Sequence, residues 1–153
     1  MNDNMTMSHQ GLQLTMRSEG LRLTAYHCQA DKLTIGYGHT GPDVVEGMTI
    51  TEERAEDLLR EDIKFAESGV RTYVTVPLVQ GQFDALTDFA FNMGIGALRS
   101  STLLKKLNSR DYNGASEEFA KWNKVRVSGV LVVSNGQVTR RERDKEIFDG
   151  EPA

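Results

Sequence analysis

The apolar residues of this chain change period once, and that change governs what it can fold into. Between residues 21 and 27, Leu21, Leu23 and Ala25 alternate with Arg22, Thr24 and Tyr26, the period of two that sends side chains to opposite faces of a strand. Gln29-Ala30-Asp31-Lys32 reads as a turn, residues 33 to 38 as a second strand, and Gly41-Pro42-Asp43 as a breaker. From Thr51 onward the period is helical. Thr51 caps, Glu52 and Glu53 fill the positive first turn, and Ala55, Leu58, Leu59, Ile63, Ala66 and Val70 recur at helical spacing. This predicts one long helix over about residues 51 to 72, joining a small antiparallel sheet lobe to a mainly helical lobe over about 78 to 149. The class is α+β, within a single domain spanning 1 to 153.

Finer expectations follow from caps and breakers. Ser8 caps a first helix through Met16 that Gly20 stops, leaving Glu19 at its end. After Pro77, the residues Phe83, Leu86, Ala90 and Met93 mark a buried helix that ends at Gly94. Further helices are expected over 98 to 107 and 112 to 121. Ser128-Gly129 and Asn135-Gly136 are turn signals flanking an apolar run, so residues 124 to 138 leave open a small surface hairpin. Thr139 with Glu142 three residues on reads as the capping box of a last helix.

A chain of 153 residues buries enough surface to fold unaided. Its net charge of −4 is uneven: residues 1 to 70 hold 6 basic and 12 acidic side chains, the remainder 12 and 10. An acidic first half argues against nucleic acid as a partner, since phosphate neutralisation needs a basic face. The single cysteine excludes an internal disulfide, so folding does not depend on an oxidising compartment. The opening Met1 to Ser8 lacks the basic and apolar regions of a secretory signal, and no later stretch approaches a membrane span.

Chemistry concentrates in the first lobe. Glu19, Cys28 and Thr34 bracket the first strand and lead into Gly36-Tyr37-Gly38-His39-Thr40-Gly41. With the flanks Ser18-Glu19-Gly20-Leu21-Arg22-Leu23 and Leu33-Thr34-Ile35, this stretch resembles the catalytic hairpin of the phage-type lysozymes, the endolysins of tailed bacteriophages. The resemblance continues through Gln82 to Leu86, Phe91-Asn92-Met93-Gly94, Arg99 to Asn108, Trp122-Asn123, and Arg140 to Arg143 with Ile147-Phe148. It departs in two places. Cys28 stands where many members carry aspartate, and residues 124 to 138 look longer and more apolar than the usual connection.

The resemblance implies a lysozyme-like fold and hydrolysis of the β-1,4 bond between N-acetylmuramic acid and N-acetylglucosamine in bacterial peptidoglycan. It implies host lysis and phage release by a monomer without metal or other cofactor, accumulating in the host cytoplasm and reaching the wall once a holin has opened the membrane. Glycoside hydrolysis needs a protonated acid at the leaving oxygen and a nucleophile or water-holding base opposite. Glu19, at a helix end beside an apolar strand, is the natural acid. The resemblance gives Cys28 and Thr34 the management of water, and gives Phe91 and Asn92 contact with sugar.

Other readings of these residues remain open. Cys28 as nucleophile with His39 as base would make a cysteine-histidine peptidase or amidase, although no helix N-terminus lies at Cys28 to favour its thiolate. A non-catalytic wall-binding module is a third. Outside catalysis, Cys28 and Thr34 would be strand packing, Phe91 core, Asn92 a cap, and His39 a loop-fixing hydrogen-bonder. Gly36 to Gly41 fits a dinucleotide fingerprint literally, but that motif needs a following helix. His27 and Cys28, adjacent on a strand, point to opposite faces and cannot easily share zinc.

Overall fold

The computed structural model describes residues 1 to 28 and 30 to 150. In chain order its elements are α1 (His9–Glu19), β1 (Arg22–His27), β2 (Leu33–Gly36), β3 (His39–Thr40), α2 (Glu52–Asp62), α3 (Lys64–Tyr73), α4 (Gln80–Met93), α5 (Ile95–Ser100), α6 (Thr102–Asn108), α7 (Tyr112–Glu118), β4 (Lys124–Val127), β5 (Val130–Val133) and α8 (Asn135–Phe148). They form two compact units, Thr15–Lys64 and the remainder. Mixed helices with small antiparallel sheets bear out the α+β expectation.

In the 15–64 unit, β1, β2 and β3 form an antiparallel sheet in that order. Thr34 pairs with Thr40 and Ile35 with His39, so Gly36-Tyr37-Gly38 is a three-residue hairpin loop. The expected second strand over 33 to 38 is therefore corrected: it stops at Gly36, and β3 returns beside it. Periodicity could not reveal this, because a two-residue strand carries none. Residues 48 to 50 run along β1, with the Ala25 N–H donating to the Met48 carbonyl and the Ile50 N–H to the Leu23 carbonyl, both at 2.9 Å. The core is Ile35, Val44 and Leu58, with Ala25, Leu33, Met48 and Ile50 packed against it. Leu23 does not join it and remains 37% exposed, so the alternation in β1 marked a strand but not its buried face.

The Thr51 hydroxyl accepts from the Arg54 N–H at 3.1 Å, as its cap position requires. The helix it starts is interrupted at Ile63, whose ψ of −11 departs from helical geometry while its N–H still reaches the Leu59 carbonyl at 2.9 Å. Residues 51 to 72 thus comprise α2 and α3 rather than one unbroken helix.

The other unit is built on α4, whose main neighbour is α8. Phe83, Leu86 and Phe89 of α4 are fully buried with Leu98, Leu103, Leu107 and Phe119. Phe89 meets Phe119 and Trp122 edge to face at 5.8 and 5.2 Å, a favoured aromatic geometry. Gly94 ends α4 as expected, with its N–H on the Ala90 carbonyl. The helix expected over 98 to 107 is two, because the Ser101 hydroxyl caps α6 at Leu104 N–H and breaks the run. Residues 112 to 121 likewise divide into α7 and a 3-10 turn, Phe119–Lys121.

The possible surface hairpin is present as β4 and β5, turning through Ser128 and Gly129 at φ values of +49 and +82. The last helix begins earlier than its expected capping box. Ser134 caps it by accepting from the Gln137 N–H, so Thr139 is interior and Asn135-Gly136 forms the first turn. Ser8 accepts from the Gly11 N–H at 3.1 Å, as its cap reading expected, and the residues before it are tied in: Asn2 donates to the Val76 carbonyl, Met7 N–H to Glu67, and Ser8 N–H to Asp84.

Candidate active site

Glu19, Cys28 and Thr34 all belong to the 15–64 unit. Glu19 is the last residue of α1 and half-buried; Gly20 follows at φ +76, with its N–H on the Met16 carbonyl. Across from the carboxylate stands the β2–β3 loop. A Cβ placed on Gly38 would lie 3.2 Å from Glu19 Oε1, and Gly38 has φ +85. Any other residue there would both strain the backbone and press on the acid.

Cys28 lies just past β1, in a turn closed by its N–H on the Lys32 carbonyl at 3.0 Å and by the Asp31 N–H on its own carbonyl at 2.8 Å. Gln29, part of the expected turn, falls outside the described residues. The turn makes a nest for the thiolate. Backbone N–H groups of Lys32 and then Ala30, followed by the Thr34 hydroxyl, hold the Cys28 thiol below its ordinary value, against the opposing pull of desolvation. The backbone thus supplies what a helix N-terminus was expected to be needed for.

Thr34 is buried on β2 and donates to the Lys32 carbonyl at 3.0 Å. A hydroxyl has one proton, so this donor is divided between that carbonyl and the Cys28 sulfur. Thr34 is thus placed beside the Cys28 thiol.

His39 is clamped. Its Nδ1 lies 2.7 Å from Asp62 and its Nε2 2.9 Å from Asp43, so both ring nitrogens face carboxylates. Desolvation pulls the imidazole down, but Asp62 and Asp43 together outweigh it and raise it above its ordinary 6.5. Each ring nitrogen is thus engaged by a carboxylate. His39 accordingly fixes the hairpin to α2, as its loop-fixing reading anticipated. Sequence reasoning did not single out Asp43 or Asp62; the spacing of four between His39 and Asp43 was the available signal.

Phe91 and Asn92 stand near the end of α4 in the other unit, both half-buried. The Phe91 ring lies 6.2 Å from that of Phe65. Asn92 Oδ1 accepts from Arg141 Nη2 at 2.9 Å, which orients the amide and leaves its N–H donors uncommitted by that bond. Beneath it, Asp88 takes a two-pronged contact from Arg140 at 2.8 and 3.1 Å, and Asp144 sits 3.1 Å from Arg141 Nε. Desolvation, reinforced by Asp88, raises Asp144 well above the usual carboxylate range. Desolvation also pushes Asp88 up, but the guanidinium of Arg140 outweighs it and holds Asp88 low. Burial thus drives the two carboxyls apart, favouring the neutral form at Asp144 and the ionised form at Asp88.

No group of three or more His, Cys, Asp or Glu residues among those described is placed to hold a metal. The strand, tight loop and short return strand after Thr34 also lack the helix that a dinucleotide fingerprint requires.

Comparison with known proteins gives first the class, the lysozyme-like enzymes whose solved structures share this fold, and then the family. Residues 16–144 match the family model described as phage lysozyme, and the chain belongs to that family. It is a lysozyme-type enzyme. An endolysin of Acyrthosiphon pisum secondary endosymbiont phage 1 is 48% identical over 145 residues, covering 95% of this chain and 99% of that one. Among solved structures, the endolysin from Escherichia coli O157:H7 phage FAHEc1 superposes with a TM-score of 0.91 at 39% identity, covering 95% of this chain and 94% of that one. A P22 lysozyme mutant superposes at 0.84 with 38% identity, covering 94% and 98%.

Proposed function

We propose that this phage lysozyme cleaves the β-1,4 bond between N-acetylmuramic acid and N-acetylglucosamine in peptidoglycan, with Glu19, Cys28 and Thr34 as its catalytic residues. Glu19 passes its proton to the glycosidic oxygen as the bond to the anomeric carbon breaks. A water held by Cys28 and Thr34 attacks that carbon and yields its proton to the Cys28 thiolate. The proton then returns to Glu19 through solvent. Phe91 and Asn92 contact sugar, Asn92 through the amide that Arg141 orients. The enzyme works as a monomer, accumulates in the host cytoplasm, and reaches the wall when a holin opens the membrane, releasing progeny phage.

The observation that supports this reading is the placement of Cys28 just past β1 beside Thr34 of the paired strand, in a turn whose backbone N–H groups hold the thiol below its ordinary value. The cysteine-histidine peptidase reading has the geometry against it, since both nitrogens of His39 are occupied by carboxylates. Product analysis of digested sacculi separates the two. New reducing ends in step with clearance are expected; new free amines without reducing ends would replace the muramidase reading with the peptidase one, and binding without either product would leave a wall-binding module.

A further inference from the structure

The β4–β5 hairpin buries little of its own apolar surface. Val127, Val130, Leu131, Val132 and Val133 are 53, 62, 54, 40 and 59% exposed. The register pairs Val125 with Val132 and Val127 with Val130, so those four valines share one face, while Lys124, Arg126, Leu131 and Val133 share the other. At the base of the hairpin Lys124 and Leu131 line a hollow with Met93 and Trp122 and Val125 is half-buried, whereas Val127 and Val130 beside the turn are open to solvent. Arg126 Nη1 donates to the Gly129 carbonyl at 2.9 Å, holding its charge at the turn. Residues 122 to 139 contain Lys124 and Arg126 and no acidic side chain, in a chain whose net charge is −4. The tip is therefore apolar and locally cationic on an acidic protein.

Area and charge select the occupant. Strands of this length present a ribbon face on the order of 150 Å², against about 800 Å² per partner in a stable protein interface. A second copy would not be held by so small a patch. A bilayer sets no such threshold, and adds attraction of each cation to anionic headgroups to the insertion of apolar side chains. We propose that the hairpin docks on an anionic lipid surface, inserting Val127 and Val130 at the interface with Arg126 and Lys124 at the level of the phosphates. No helix among the described residues is long and apolar enough to cross a membrane, so the contact is peripheral. It would keep the enzyme beside a bilayer, independently of its chemistry on the wall.

The test uses the full chain and vesicles of phosphatidylglycerol with phosphatidylcholine, compared with phosphatidylcholine alone, by co-sedimentation at low and high salt. Binding is expected only to the anionic vesicles and should fade as salt rises. The variant V127N/V130N/V132N and, separately, K124Q/R126Q should each lower the partition coefficient about tenfold or more. Both should keep the wild-type unfolding midpoint and rate on purified sacculi, because these side chains are exposed. Anionic vesicles that do not bind the wild type overturn the proposal, as do variants that bind them equally well. A hairpin-dependent dimer or hairpin-dependent sacculus binding, found without lipid binding, would also overturn it, assigning the patch to a second copy or to the wall.

Discussion

Glu19, Cys28 and Thr34 make separable predictions. Glu19→Gln keeps the shape and removes the proposed proton donor, so clearance of cell walls should fall by about 10² to 10⁴-fold with the unfolding midpoint unchanged. A variant retaining a tenth of wild-type activity would remove Glu19 from the mechanism. Because hydrogen bonds hold the Cys28 thiol low, its alkylation at neutral pH should outpace that of a free cysteine, and Thr34→Val should slow it. Cys28→Asp should remain active and resist alkylation, while Cys28→Ala loses about tenfold or more. If alanine clears walls as fast as cysteine, the thiol is packing. The spacing of these three residues was legible in the sequence. That the backbone of residues 30 and 32 turns back onto the sulfur was not, because it depends on the path of a turn rather than on any side chain.

The elements of the 15–64 unit are pinned by charge as well as by apolar contact. His39 joins β3 to Asp62 of α2 and to Asp43 in the following turn. Its value is raised above 6.5, so the stabilisation it gives is fully present below that value and disappears as pH climbs through the raised one. Asp43 is lowered from 3.8, first by its bond to His39, so its share is present above 3.8 and lost as pH falls through the lower folded value. Between 3.8 and 6.5 the clamp is complete. Thermal unfolding scanned against pH should show His39→Asn deficient within that window and approaching wild type on its alkaline side. A uniform deficit at every pH would mean the ring acts by packing alone. Beside the clamp, Gly38→Ala should cost about 1 to 2 kcal/mol of stability through its positive φ, and lower activity by crowding Glu19, a joint loss that unfolding and clearance assays would reveal together. Helix starts marked by a side-chain cap, as at Thr51, could be read directly. The start of α8 could not, because Ser134 and Thr139 are both residues that can cap, and Ser134 is the one that accepts from the Gln137 N–H.

Across the whole molecule, the least anticipated feature is the charged centre of the helical unit, where Asp88, Arg140, Arg141 and Asp144 are all at most 5% exposed. Removing one partner of a buried pair leaves the other uncompensated, so Asp88→Asn should destabilise by about 3 to 5 kcal/mol. Asp144→Asn should cost clearly less, since burial favours the neutral carboxyl that asparagine imitates. Asp144 is raised, so the wild type loses stability as pH rises from 3.8 through the folded value, and the asparagine variant should lack that slope in denaturant titrations. Equal losses in both variants would show that Asp144 is ionised.

The sequence by itself determined the class: periodicity of two and then 3.6, caps and glycine stops are local properties, and so is the run of residues from Ser18 to Gly41 that carries the resemblance to the phage-type lysozymes. Only the tertiary structure decided that β1 leaves Leu23 exposed, that His39 lies between two acids, that Asn2 and Ser8 anchor the N-terminus, and that two arginines of α8 are buried. Each of those outcomes joins groups brought together by folding, such as His39 and Asp62, Ser8 and Asp84, or Asp88 and Arg140. A charged side chain looks solvated in sequence, and becomes a core residue only when its partner arrives from another element.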